Sequence, residues 1–308
     1  ASIAQATIPA DAQAESAETT QMTLSVTNAE KPANFHTLDA DQTSNTLEVK
    51  MIGLSADNTE PIKVALFVGE NLNGFKLYHH EKEMTAKDSV DAVINDQDYY
   101  YNSETGIVTF LTAKFSPFTL VYDKGNWSDN TEGDYETPVD ETSKTVTIAS
   151  AEELALFAKE VNGGKSYAGY TVKLVNDINL AANKWTPVNA WKGKLNNVTI
   201  DGMNHTISNM TTEVGDTAGF IDTSASSITV KDVTFDNAYV KTTPNKSQSY
   251  AGVVVGKTYS TTKLINVKVV NSQVVNNWQC GGMVGFAENA QVSFENCVVE
   301  DSHFGGYS

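Results

Sequence analysis

Arginine is absent from this 308-residue sequence: all 21 basic residues are lysine, against 38 Asp and Glu, and the formal net charge is −17. Proteins that bind nucleic acid neutralise phosphates with clustered basic residues and recognise guanine largely with arginine. We therefore expect no nucleic-acid partner. The charge is uneven, since residues 1–144 hold 24 acidic residues against 9 lysines, and residues 145–308 hold 14 against 12.

Cysteine and long apolar runs are also scarce. Cys280 and Cys297 are too few for a disulfide framework, so we expect inward-facing thiols, with one bond between them as the alternative. No stretch reaches the roughly 18 apolar residues that a membrane span requires, so we expect no membrane insertion of this segment. The first residues lack Met and a signal-peptide pattern, which is typical of a trimmed terminus.

Recognisable catalytic motifs are missing as well. The sequence has no His-Glu-x-x-His, phosphate loop or nucleophile elbow, and its five histidines are scattered. We therefore expect a protein that is not an enzyme and has no cofactor. The alternative is a glycan-active site built from Asp201, Asp222 and Asp232, although isolated carboxylates on exposed strands are common.

What the sequence does contain is a repeat. Gly219, Gly252, Gly282 and Gly306 recur at intervals of roughly 30 residues, and the first three lead into short, β-branched, alternating strands. Such a period indicates a solenoid, and the two-residue alternation favours the coils of a parallel β-helix over a helical repeat. The predicted strands include 228–235, 264–270 and 292–299.

Three of these segments share one position, occupied by Asp232, Asn266 and Asn296, where the chain should turn between two strands. Asn and Asp tolerate left-handed backbone angles and hydrogen-bond to nearby backbone. We therefore predict a ladder of stacked corner residues here rather than an active site.

One amphipathic helix is predicted just before the repeats. Ser150 can cap it, with Glu153 completing a capping box, and Leu154, Phe157 and Val161 form an apolar stripe. A solenoid needs its open end covered, so we expect this helix to act as a cap.

The first third of the chain has a different pattern. Residues 1–20 have almost no apolar anchor, and we predict a disordered leader. Residues 21–123 carry short alternating strands between turn clusters, which is typical of an antiparallel β-sandwich of Ig-like size. The predicted strands are 23–27, 46–52, 62–68, 75–79, 107–111 and 118–122.

Residues 124–144 are acidic and rich in turn-forming residues, which predicts a solvated linker. Asp129, Glu132 and Asp134 supply the hard oxygen ligands that calcium prefers, but their spacing is not that of an EF-hand. A calcium site therefore stays the alternative to a simple linker.

Two strings in the second half resemble a known family. Asp-Gly-Met-Asn-His-Thr-Ile at 201–207 and Gly-Gly-Met-Val-Gly-Phe at 281–286 are similar to the core strings of bacterial GLUG-type surface repeats. The resemblance implies a right-handed parallel β-helix over residues 145–308, in a secreted or wall-attached protein. It departs at Gly219 and Gly252, where the second glycine is missing or displaced. The last Gly pair opens a repeat that is not finished, so we expect a longer parent chain.

Residues 100–121 resemble the closing hairpin of sandwich domains in bacterial surface proteins, which usually ends in His-Phe-Ser-Pro-Phe. In related autoproteolytic sandwiches, a His-Phe-Ser triplet cleaves before its serine with help from the histidine. Here Lys114 stands at the histidine position. We therefore interpret Ser116 as an ordinary strand residue.

These features predict an all-β chain: an N-terminal antiparallel Ig-like β-sandwich, then a right-handed parallel β-helix with one N-terminal capping helix. The predicted function is a non-catalytic, secreted or cell-surface adhesin that presents a β-helix face to glycans or to host or matrix proteins. The alternatives are an accessory region of a secreted enzyme, a carbohydrate-active β-helix of the lyase or hydrolase kind, and a viral fibre. The aromatic residues expected to contact ligand, unless they pack against loops, are Trp185, Trp191, Tyr239, Tyr259 and Trp278.

Overall fold

Short alternating strands account for most of the regular structure. The computed structural model describes residues 4–18, 21–129, 137–191, 194–243 and 248–306. The chain divides into two compact units, residues 1–123 and 124–308. Within the described ranges, no helix is long and apolar enough to cross a membrane.

The first unit consists of two five-stranded sheets. Its strands are β1 (Ala4–Thr7), β2 (Thr23–Ala29), β3 (Gln42–Ile52), β4 (Ile62–Phe67), β5 (Lys76–His79), β6 (Lys82–Glu83), β7 (Thr85–Ala86), β8 (Asp98–Asn102), β9 (Ile107–Thr112) and β10 (Pro117–Asp123), with a 3-10 helix at Val90–Ala92. The strand orders are β1-β4-β9-β8-β7 and β2-β3-β10-β5-β6. The strand pairs are antiparallel except β7 with β8.

The inward-facing residues of both sheets form one apolar core. Val49 and Phe118 come from one sheet, and Ile62 and Phe110 from the other. Each of the six predicted strands overlaps an observed strand. The structure differs from the predicted leader at Ala4–Thr7, which pairs with β4, because the edge of that strand offers backbone groups for pairing.

The second unit is a β-solenoid of about 5 turns, as the glycine period predicts. Its strands are β11 (Val139–Asp140), β12 (Thr145–Ile148), β13 (Thr171–Leu174), β14 (Ile178–Asn179), β15 (Val188–Ala190), β16 (Val198–Ser208), β17 (Thr211–Val214), β18 (Thr217–Ala218), β19 (Ile221–Ser224), β20 (Ile228–Asp236), β21 (Tyr239–Thr242), β22 (Tyr250–Gly252), β23 (Val255–Thr258), β24 (Thr262–Val270), β25 (Gln273–Val275), β26 (Gln279–Gly281), β27 (Val284–Ala287), β28 (Val292–Glu295), β29 (Val298–Glu300) and β30 (His303–Gly305).

Equivalent strands of successive coils pair in parallel register. In the largest sheet, Ile200 pairs with Val230, Val230 with Leu264, and Leu264 with Phe294. The other sheets run β15-β19-β23-β27, β17-β21-β25-β30 and β18-β22-β26. Because identical positions stack, the apolar member of each alternating pair forms a continuous buried row inside the solenoid.

The predicted corner ladder is confirmed. Asp232, Asn266 and Asn296 have left-handed φ angles of 52°, 52° and 50°. The Asn266 side-chain amide donates to Asp232 Oδ1 at 2.7 Å, and the Asn296 amide donates to Asn266 Oδ1 at 3.3 Å. Each corner residue therefore connects one coil to the next.

A second ladder, which the sequence reasoning missed, follows the next strand of each coil. The Asn209 amide donates to Asn179 Oδ1 at 3.0 Å, and the Asn237 amide donates to Asn209 Oδ1 at 2.7 Å. Asn209 and Asn237 also have left-handed φ angles, 58° and 53°. Two corners of the solenoid are thus held by stacked amides.

The repeated glycines mark places where coils approach most closely. A Cβ atom at Gly252 would lie 2.6 Å from the backbone nitrogen of Gly285, which belongs to the next coil. Such a distance is too short for any side chain, so glycine is required there because coil backbones touch.

The predicted helix is present as α1 (Ala151–Asn162). Ser150 Oγ accepts from the Glu153 backbone N–H at 3.2 Å, and Glu153 Oε2 accepts from the Ala149 N–H at 2.6 Å. This is a capping box in which the Glu reaches one residue further back than usual. Phe157 and the rest of the apolar stripe join the solenoid core.

Part of the predicted linker is packed instead. Trp127, in the 3-10 helix Trp127–Asp129, is buried in the core of the second unit. Its Nε1 donates to Leu180 O at 3.1 Å, and its backbone N–H donates to Lys184 O at 2.9 Å. A large buried ring with its polar groups satisfied anchors the stretch that the composition predicted to be solvated.

Candidate functional site

The five predicted aromatic residues lie in different environments. Trp185 is only 1% exposed, its ring stacks on Phe220 with centroids 5.3 Å apart, and its Nε1 donates to Phe220 O at 3.0 Å. The prediction that Trp185 contacts ligand is therefore wrong, because its ring fills the solenoid interior. Tyr239 begins β21 and is half-buried, on a sheet that contains neither Trp191 nor Tyr259.

Trp191 and Tyr259 do come together on the surface. They are 42% and 36% exposed, and their rings meet edge-to-face with centroids 5.4 Å apart. Trp191 follows β15 directly and Tyr259 follows β23, and both strands belong to one sheet with β19 between them. Stacking of coils thus places two residues distant in sequence side by side.

Lys257, two residues before Tyr259, lies at the centre of this group of rings and is itself buried, with 9% of its surface exposed. Its Nζ lies 4.5 Å from the Tyr259 ring centroid, 4.4 Å from that of Tyr250 and 5.3 Å from that of Phe286. Nζ also forms an ion pair with Glu288 at 2.7 Å. We call Trp191, Tyr250, Lys257, Tyr259 and Phe286 the aromatic–lysine cluster.

The electrostatics of the cluster keep Lys257 charged. Burial by itself lowers the pKa of Lys257, but the bonds to Glu288 and Tyr259 outweigh it, and the pKa lies above its ordinary value. Tyr250 and Phe286 stack with centroids 4.8 Å apart, which gives the cation two fixed ring faces. The cluster is therefore rigid and positively charged at its centre, with Glu288 beside it.

The repeat register contained a signal for the residues that the sequence reasoning missed. Lys257 and Phe286 each follow the last glycine of their repeat, Gly256 and Gly285, and the two residues pair in register. Aligning the repeats position by position would have placed both in one row, next to Tyr259.

Trp278 is the most exposed of the five, at 59%. It lies between β25 and β26 and borders a cavity of about 580 Å³ with Phe286 and Phe294. Phe286 therefore faces both this cavity and the aromatic–lysine cluster.

The three aspartates considered as a glycan-active site do not meet. Lys231 Nζ bridges Asp201 at 2.8 Å and Asp232 at 2.9 Å, so these two carboxylates share one cation and Asp222 is not part of the group. Asp222 lies on another sheet, where its carboxylate accepts from Asn189 Nδ2 at 3.2 Å and from the Thr223 backbone N–H.

The surroundings of Asp222 change its pKa from that of an exposed aspartate. Burial raises its pKa to about 6, although the bonds from Thr223 and Asn189 act in the opposite direction. It borders a cavity of about 390 Å³ together with Asp216, Thr217 and Asn162. The carboxyl group therefore holds a proton over part of the mildly acidic range.

The proposed calcium ligands are only partly described. Asp129 accepts from Asn126 Nδ2 at 3.2 Å and from Ser128 Oγ at 3.4 Å. Glu132 and Asp134 lie outside the described residues. Among the described residues, no three His, Cys, Asp or Glu side chains are grouped closely enough to hold a metal ion.

Both cysteines are free thiols. Cys280 and Cys297 are partly buried against the solenoid core, and burial raises the pKa of the Cys280 thiol. Cys297 Sγ donates to Leu264 O at 3.3 Å. They match the expected packed thiols rather than the alternative bond.

Comparison with known proteins gives little further guidance. No protein-family model matches the chain, and no curated protein matches it. A solved structure described as a putative immunoglobulin A1 protease from Bacteroides ovatus aligns at a TM-score of 0.39 and 17% identity. The alignment covers 55% of this chain and 64% of that one. A likeness at this level carries no argument about function.

Proposed function

We propose that this chain is the binding part of a secreted or cell-surface adhesin, built from an Ig-like sandwich and GLUG-type solenoid repeats. The solenoid presents the aromatic–lysine cluster to glycans or to a host or matrix protein, without catalysis at that surface. The exposed Trp191–Tyr259 pair beside Lys257 is the observation that carries this proposal. Membrane insertion and nucleic-acid binding have no part in it.

The chemistry of the cluster suits a sugar. Aromatic rings offer large, rigid contact area at a low cost in side-chain entropy, and they combine an apolar body with a polar tip. Lys257 and Glu288 add one donor and one acceptor within reach of the same surface. Solenoids in general bind along such extended faces.

Asp222 favours a second candidate, a carbohydrate-active solenoid. A carboxyl group whose pKa is raised to about 6 can donate a proton near neutral pH, as a general acid must. Asp216 borders the same cavity and supplies a second carboxyl group. The same two carboxyl groups at one cavity also fit an accessory region of a secreted enzyme.

Glycan-array and matrix-protein binding, followed by affinity measurement on the best ligand, would test the first candidate. Trp191→Ala and Tyr259→Ala should each weaken binding about tenfold or more, since each removes a contact worth roughly 1.4 kcal/mol. Trp278→Ala is the matched control for an exposed aromatic residue outside the cluster. Equal losses for all three variants would contradict the assignment.

Polysaccharide degradation separates the two candidates. Binding without any product supports the adhesin, whereas chain cleavage that Asp222→Asn abolishes supports the carbohydrate-active solenoid. If Asp222→Asn left cleavage unchanged, this carboxyl group would have no catalytic role. The cleavage itself would still exclude a purely binding function.

A further inference from the structure

Ser116 lies just before β10, and the sheet register brings a histidine to it. Strands β5 and β10 are paired with His79 opposite Phe118. His79 Nε2 lies 2.6 Å from Ser116 Oγ. The His79 ring is nearly parallel to the Phe118 ring, with centroids 4.5 Å apart, which fixes its plane. The pairing of these two strands therefore brings a histidine within hydrogen-bond distance of Ser116.

Gln97 fixes which ring nitrogen carries the proton. Its Oε1 lies 2.9 Å from His79 Nδ1, while its Nε2 donates to Asp96 Oδ1 at 3.1 Å and to Thr112 Oγ1 at 3.4 Å. Since both amide hydrogens are used on that side, the oxygen faces the imidazole and accepts from Nδ1–H. Nε2 is then bare and accepts the Ser116 hydroxyl proton.

The backbone holds Gln97 in a strained conformation. Its φ is 69°, a left-handed angle that a residue without Asn or Gly character seldom adopts. Two backbone bonds keep it there: its N–H donates to Leu111 O at 2.9 Å, and its carbonyl accepts from Thr85 N at 2.9 Å. Strain of this kind persists only where the surroundings over-determine it, and it concentrates at functional positions.

The protonation state of His79 suits a base. Burial lowers the pKa of His79 below its ordinary value, and neighbouring His80 lowers it further, whereas the Gln97 bond and the Asp96 charge act in the opposite direction. Lys82 stands opposite His79 on β6 and is a further positive neighbour. The imidazole is therefore neutral at neutral pH and able to take a proton.

We propose that Ser116 and His79, with Gln97 as a positioning residue, form a nucleophilic site that accepts acyl groups from small activated esters. Ser116 Oγ attacks the ester carbonyl carbon while its proton moves to His79 Nε2. The ester C–O bond then breaks, and the leaving alkoxide takes that proton and departs as the alcohol. Water, activated by the same imidazole, hydrolyses the acyl-serine and regenerates the hydroxyl.

The site goes beyond the proposed binding function, which rests on the second unit. It also departs from the expectation of a protein without enzymatic activity. Phe115, the residue before Ser116, borders a cavity of about 640 Å³ with Met51, Leu54 and Lys114. Ser116 and His79 do not line that cavity, so we restrict the substrate to small activated esters, which need no preformed acyl pocket.

Labelling of the full chain with an alkyl fluorophosphonate tests the nucleophile, because this probe loses fluoride to an activated serine. We expect one adduct, mapped to Ser116 by peptide mass spectrometry, and protection of Ser116 by excess 4-nitrophenyl acetate. Ser116→Ala should abolish labelling, whereas Ser103→Ala, at an exposed turn serine, should leave it unchanged. The proposal would be overturned if Ser103 and Ser116 were labelled equally, or if 4-nitrophenyl acetate did not protect Ser116.

Histidine variants separate chemistry from folding. His79→Gln should slow labelling by about 100-fold or more, the usual worth of a positioned base. His36→Asn, at an exposed histidine of the same unit, is the matched control. The site would be refuted if the His79→Gln variant kept the wild-type circular dichroism spectrum and was labelled at the wild-type rate.

Gln97→Glu gives a readout that a structural role would not move. A carboxylate still accepts from Nδ1–H but stabilises the charged imidazole, so the pH at which labelling reaches half its maximal rate should rise. An unchanged pH profile would contradict the positioning role. A chain found cut between Phe115 and Ser116 would also count against the proposal, because the hydroxyl would then attack its own backbone.

Discussion

At the scale of single residues, Trp185 and Trp191 lie in opposite environments, since one ring fills the solenoid interior and the other is 42% exposed. Trp185 stands between Lys184 and Thr186, both polar, which made exposure plausible, yet its ring turns into the solenoid. Whether a ring points inward at that position depends on how the coil bends, and the bend is set by stacking on the next coil. Local sequence contains no such information.

The two tryptophans should therefore differ sharply when truncated. Trp185→Ala should lower the free energy of unfolding by about 3–5 kcal/mol, because it leaves a large cavity in a packed core. Trp191→Ala, at an exposed position, should change it by less than about 0.5 kcal/mol. Urea titrations of both variants measure the difference, and similar losses would place Trp191 in the core as well.

Asp222 makes a second residue-scale prediction. Its folded pKa of about 6 exceeds the ordinary value of 3.8, so the folded state binds this proton more tightly than the unfolded state. The contribution of Asp222 is therefore most favourable below the unfolded pKa and is lost as pH rises through 6, by at most about 3 kcal/mol. Melting temperatures of wild type and Asp222→Asn between pH 4 and 7 should diverge as pH rises, with the variant gaining. Parallel curves would contradict the shift.

At the scale of elements, the periodicity of the sequence predicted the longer strands, the helix α1 and one corner ladder. It missed the ladder through Asn209 and Asn237, although an Asn also follows β24 at position 271. It also missed short strands such as β6 and β7, which have two residues each and no alternation to detect. The pairing of β5 with β10 was not predicted, so His79 was not expected beside Ser116.

The corner ladder can be tested at Asn266. Asn266→Ala should lower the free energy of unfolding by about 2–3 kcal/mol, because it loses interstrand amide bonds and forces alanine into a left-handed angle. Asn266→Gly keeps the backbone angle available and should lose only about 1 kcal/mol. Denaturant titration of the pair isolates the backbone part, and equal losses would show that φ is unimportant there.

At the scale of the whole molecule, composition and repeats predicted two kinds of β structure in the right order. The aromatic–lysine cluster was not predicted, because it draws residues from three coils and becomes visible only when the repeats are aligned in register. The predicted sandwich ends at residue 123, where the chain divides into its two units, but the stretch predicted as a linker contains a tryptophan that belongs to the solenoid core.

Trp127 should thus be part of what the second unit needs to be stable. Trp127→Ala should lower the free energy of unfolding of that unit by about 3–5 kcal/mol, through the cavity and the unsatisfied carbonyl of Leu180. Hydrogen exchange in strands β13 and β16 reports on this unit alone. Protection there equal to wild type would show that the residues before 137 do act as a linker.

The stacked corner amides also determine how the molecule can change in length. The ladder bonds join equivalent positions of neighbouring coils, as between Asn266 and Asp232 and between Asn296 and Asn266. A whole coil can thus be inserted or deleted while every surviving amide finds the same kind of partner. A single residue inserted inside a strand would shift every later side chain to the opposite face. The solenoid behaves as a ruler with divisions of roughly 30 residues, along which the distance between its two ends can be adjusted only in whole steps.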